Sequence, residues 1–159
     1  MSNIDFVQIA KDCRDNYIQL VERNAIVQRY GQFSRKTERY IKTYFFAITE
    51  KNKVVWSINP TILKDAISCI LIHVKEELAE THFHEWFKLE YIDENGRVTD
   101  GQLGNGFFLS IYKRYATDFA EMSLSKNSMS IYKSYRFVED MQKLWDCYIL
   151  AKNKSEEEI

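Results

Sequence analysis

Apolar residues recur along the first thirty positions with a helical beat. From Ile4 to Tyr30, Phe6, Ala10, Cys13, Tyr17, Leu20 and Val27 fall mostly three or four apart, which predicts one amphipathic helix stopped by Gly31. Ser34 is a candidate cap for a second helix at about 35–50, where Tyr40, Ile41, Tyr44, Phe45 and Ile48 repeat the pattern of a buried face. Val54–Ile58 is rich in β-branched residues and runs towards the only proline, so it reads as extended, a connector or short strand. Asn59-Pro60 reads as cap and first helical residue of a third helix through Leu63, Ala66, Ile67, Ile70, Leu71, Val74 and Leu78, the most apolar and central one.

Residues 82–99 fit two patterns. Phe83, Trp86, Phe87 and Tyr91 suit a helix, whereas Phe87, Leu89 and Tyr91 alternate with Lys88 and Glu90 ahead of Asp93-Glu94-Asn95-Gly96, as in a β-hairpin. The helix is the preferred reading. Phe107, Phe108, Ile111, Tyr115, Phe119 and Met122 predict a fourth helix, Ser123–Ser128 a turn, and Ile131, Tyr135, Val138, Trp145 and Ile149 a fifth. Four of the five glycines lie between Gly96 and Gly106, leaving breakers scarce elsewhere. The expected fold is therefore all-α: a compact bundle of about five helices over 1–152, one glycine-rich loop, and an acidic tail at 153–159. An α+β fold with a hairpin at 86–99 is the alternative.

Composition narrows the partners. The net charge of −1 gives no global field towards nucleic acid or an anionic membrane. The charges are nevertheless segregated, with acids concentrated at 76–100 and bases at 35–53. Three widely spaced cysteines suit free thiols in a reducing compartment. The N-terminus lacks the pattern of a signal peptide, and the longest apolar run, Ala66–Val74, is far short of the ~20 residues of a membrane span. A cytoplasmic protein with no membrane insertion is expected.

Candidate chemistry is sparse. On a helix reaching residue 85, His73, Glu77, Glu80 and His84 would share a face, so His73, Glu77, His82 and His84 form an alternative divalent-metal set. It matches no established metal motif, and no cofactor is expected. The run Asp100-Gly101-Gln102-Leu103-Gly104-Asn105-Gly106 before a predicted helix could hold an anion, but it lacks both the dinucleotide and the P-loop spacing. Ser110-Ile111-Tyr112-Lys113-Arg114-Tyr115 and Ser130-Ile131-Tyr132-Lys133-Ser134-Tyr135 repeat twenty residues apart, mixing bases with tyrosines. A nucleic-acid surface built from Arg35, Lys36, Arg39, Lys113, Arg114, Lys133 and Arg136 is therefore an alternative function. No nucleophile elbow or acid–base signature is present. The preferred reading is a small, non-catalytic interaction or regulatory module for a protein partner or homo-oligomer. Its candidate contacts are Trp86, Tyr91, Asn95, Asn105, Phe107 and Phe108.

Overall fold

A computed structural model describes residues 4–31, 38–79, 82–113 and 119–157, with side chains described at 4–21, 42–75, 85–113 and 119–156. It overturns the all-α expectation: the protein is α+β, with two antiparallel sheets. Helix α1 (Phe6–Gly31) occupies the span predicted for the first helix. Strands β1 (Glu38–Ile48), β2 (Val54–Ser57), β3 (Ser68–Ala79), β4 (His82–Ile92) and β5 (Val98–Thr99) form the first sheet, in the order β2-β1-β3-β4-β5. Strands β6 (Gln102–Gly104), β7 (Phe107–Lys113), β8 (Ala120–Lys126) and β9 (Met129–Ser134) form the second, in chain order. Helix α2 (Phe137–Glu157) follows.

Burial on both faces explains why the central strands resembled helices. β1 and β3 pair in register along Phe45↔Leu71, Phe46↔Ile70 and Ala47↔Cys69. Phe46, Ile48, Ile70, Ile72 and Leu89 face a core shared with Leu109, Met122 and Leu124 of the second sheet and Met141, Leu144, Trp145 and Tyr148 of α2. Phe45, Ala47, Cys69, Leu71 and Ile92 face the other way, against Phe6 and Ala10 of α1. A strand covered on both sides shows a continuous apolar run without the two-residue beat, so periodicity alone does not separate it from a buried helix. The expected second and third helices are strands for this reason; the expected fourth is instead β7 and β8, where Phe107, Leu109 and Ile111 face the core and Phe108, Ser110 and Tyr112 alternate with them on the two-residue beat of a strand covered on one face. Asn59 does cap, accepting from the Thr61 amide at 3.0 Å, but what it opens is only a 3-10 turn at Pro60–Asp65.

The expected fifth helix starts six residues late, because Met129–Ser134 pairs with β8 and only Phe137 onward is helical. α2 closes the wedge between the sheets. Its Gln142 accepts from the Val54 amide at 2.7 Å and donates to the Asn52 carbonyl at 2.9 Å, while the Trp145 indole donates to Asn52 Oδ1 at 3.0 Å.

The glycine cluster is a corner and two turns, not an anion loop before a helix. β4 turns into β5 through Asp93, whose carboxylate accepts the Asn95 and Arg97 amides, both at 2.9 Å. Gly101 (φ +89°) then lets the chain leave the first sheet for the second. Its carbonyl accepts from Leu109 N at 2.7 Å, and a Cβ there would sit 2.1 Å from the Leu109 carbonyl oxygen.

Candidate functional site

The residues singled out in the sequence do not converge. Tyr91 and Phe107 are core residues, packed on Trp145 and Tyr148 at ring distances of 6.2 and 5.1 Å. Burial drives the Tyr91 phenol pKa upward. Asn95 lies in the β4–β5 turn and Asn105 in the β6–β7 turn, while Trp86 and Phe108 stand exposed on different sheets.

The helical face assumed for the metal set does not exist. His73 and Glu77 lie four residues apart along β3, about 13 Å at ~3.3 Å per residue. Glu77 and Ala79 are register partners of His84 and His82. The side chains of Glu77, His82 and His84 are outside the described residues, and no group of potential metal ligands occurs among the described ones.

Of the basic set, Arg35, Lys36 and Arg114 are outside the described residues, as is the side chain of Arg39, whose register partner is Glu77. Lys113 ends β7. Lys133 lies 3.9 Å from Glu121 and Arg136 3.7 Å from Asp140, so acids interrupt any basic track there.

Two features emerge that the sequence did not assemble. The first is a buried polar row beneath α1. His73 is completely buried. Its Nδ1 lies 2.9 Å from Thr43 Oγ1 and its Nε2 2.6 Å from Glu90 Oε1. α1 closes over this row: Tyr17 stacks on the imidazole with centroids 4.9 Å apart, and the Cys13 thiol lies beside the Glu90 carboxylate. Burial pulls the Glu90 pKa up, but the hydrogen bond and charge of His73, then Lys88 and Cys13, outweigh it and leave the pKa lowered. Burial, followed by the Glu90 and Asp12 charges, pushes Cys13 up to about 11, so this thiol is held neutral. Hydroxyl, imidazole and carboxylate have the connectivity of a general-base relay. Thr43 is as buried as its partners, so with α1 docked the row serves as a tie between strands and helix. His73 within the apolar run Cys69–Val74 was the available signal, since a buried imidazole requires partners. Thr43 and Glu90 become those partners only through strand register.

The second feature is the outer face of the second sheet. Register aligns Phe108 with Ser125, Ser110 with Ser123, and Tyr112 with Glu121. The Ser110 and Ser123 hydroxyls meet at 2.7 Å, and the Tyr135 hydroxyl reaches Glu121 at 3.5 Å. Phe108, Tyr112, Ile131 and Tyr135 are 40–52% exposed, and Phe119, just before β8, is 63% exposed. The sequence repeat is broken by the irregularity at Leu124/Ser125: Ile111 points into the core and Tyr112 outward, whereas Tyr132 packs on the core and Ile131 is exposed.

A shallow groove of about 750 Å³ near the start of α1 sets Glu50, Asp65 and Glu94 against Lys51 and Lys64, with Phe6 its only aromatic wall among the described residues. This mixed lining selects no ligand. No protein-family model, curated protein or solved structure matches the chain. No helix among the described residues is long and apolar enough to cross a membrane.

Proposed function

We propose that the chain is a non-catalytic protein-interaction module whose contact surface is the outer face of the second sheet. The carrying observation is the set Phe108, Tyr112, Ile131 and Tyr135, exposed together around a small serine centre on a face that no described element packs against extensively. Aromatic side chains on a preformed sheet surface supply large contact area at low entropic cost. Strands of three, seven, seven and six residues spaced about 4.8 Å apart present roughly 360 Å², under half of what each partner buries in a standard stable interface. That size favours a transient contact with a different folded protein over a stable pair of identical chains. The three free cysteines, Cys13, Cys69 and Cys147, suit the reducing cytoplasm as its compartment.

The test is chemical cross-linking in the source cells of the native protein and of a Phe108→Ser, Tyr112→Ser, Tyr135→Ser variant. The reading predicts a discrete heterologous adduct that the variant loses while its circular dichroism stays native. An adduct of twice the chain mass, or one indifferent to the three changes, overturns it.

A further inference from the structure

The side chains that hold α1 are separate from those that hold the rest of the fold. Strand alternation sends Phe45, Ala47, Cys69, Leu71 and Ile92 to the α1 side, and Phe46, Ile48, Ile70, Ile72 and Leu89 to the side shared with the second sheet and α2. The two buried clusters have no residue in common. α1 packs mainly on the 3-10 turn, β3 and β1, whereas the larger cluster ties both sheets to α2. Removing α1 would therefore bare one face of the first sheet and leave the larger core closed. Elements attached through few apolar contacts open more often than the core beneath them.

The middle of that attachment is polar. Cys13 and Tyr17, one helical turn apart on α1, meet Glu90 and His73 on neighbouring strands. A purely apolar seam would let the helix slide, but buried polar groups require particular partners and so admit one register.

We propose that α1 opens and closes as a separate unit while both sheets and α2 remain folded, and that the Thr43–His73–Glu90 row, gripped by Cys13 and Tyr17, is its catch. Opening exposes an apolar sheet face with an imidazole–carboxylate pair at its centre. Closing hides both. This inference rests on packing at the first sheet and stands apart from the interaction face on the second.

Cys69 is a built-in reporter, because it is fully buried on the α1 side. The experiment follows amide hydrogen exchange and maleimide labelling of the full native chain, with each cysteine resolved by peptide mass. Amides of residues 9–21 and the Cys69 thiol should become accessible together, roughly a hundredfold more often than amides of β7, β8 and the middle of α2. Glu90→Gln, which keeps an acceptor but removes the charge, should speed both by roughly tenfold and leave β7, β8 and α2 unchanged. A single common rate for α1, Cys69, β8 and α2 in the unmodified chain overturns the proposal, whether or not any variant folds. A Glu90→Gln protein that folds and labels at the native rate overturns the assignment of the catch.

Discussion

Replacing His73 and Glu90 by leucine, singly and together, asks whether the buried pair acts as a pair. Glu90→Leu leaves a fully buried imidazole whose Nε2 has lost its 2.6 Å partner. An unsatisfied buried polar group costs about 1–3 kcal/mol. His73→Leu strands the carboxylate instead. A fully buried lone charge costs about 3–5 kcal/mol, but the Glu90 side chain is 12% exposed and keeps Lys88 and Cys13 nearby, so about 2–3 kcal/mol is expected. The double leucine variant strands neither member of the pair, a replacement that is often neutral, and the 2.9 Å partner that the buried Thr43 hydroxyl loses is lost equally in His73→Leu. Because that loss cancels in the cycle, the double variant should lose roughly 3 kcal/mol less than the sum of the two single variants. Urea unfolding at pH 7, followed by far-ultraviolet circular dichroism so that α1 contributes to the signal, measures all four corners. A double variant that loses the sum of the two single losses, within about 0.5 kcal/mol, refutes the reasoning.

Three further outcomes follow from the same geometry. Because the folded Glu90 pKa is lowered, its contribution is complete above the ordinary carboxylate value of 4.5 and is lost as pH falls through the depressed one. The urea midpoint should therefore fall on acidification, and more gently in Glu90→Gln. Cys13 behaves oppositely: raised from 9.0 to about 11, it contributes fully below its ordinary value, and that contribution is lost as pH rises through the folded one. Its alkylation rate in the native chain should still be rising above pH 9, and a plateau by pH 9 would contradict the burial described. Gly101→Ala should lower the melting temperature more than Gly104→Ala. Both have positive φ, worth about 1–3 kcal/mol of strain, but only the first drives a Cβ onto backbone, 2.1 Å from the Leu109 oxygen, whereas nothing lies within 4 Å of the second. Equal shifts would argue against Gly101 as the corner between the sheets.

What could be read from the chain depended on how many faces of an element meet water. α1 keeps a polar face, so Phe6, Ala10, Cys13 and Tyr17 announce a helix. The alternation of Phe87, Leu89 and Tyr91 with Lys88 and Glu90 ahead of an Asn-Gly turn offered the strand pairing that the structure has, Tyr91 with Thr99 and Ile92 with Val98. β1 and β3, covered on both sides, carry no such beat, and their apolar density favoured helices. The candidate sites suffered a related loss. His73 was visible as a polar residue in an apolar run, but its partners lie 30 and 17 positions away and are selected by register. The serine–tyrosine repeat was visible too, yet a single irregularity in β8–β9 pairing turns its two copies to opposite faces. Phe107 and Phe108 show how narrow the margin is: neighbours on one strand, one is core and the other exposed.

Site-specific photo-cross-linking in the source cells tests the interaction face most directly, with the reactive group placed in turn at Tyr112, Tyr135, Lys51 and Leu150, all exposed. The account predicts one heterologous adduct of constant mass from Tyr112 and Tyr135 and none from Lys51 or Leu150. The same adduct from all four positions, or adducts from Lys51 and Leu150 alone, would contradict it.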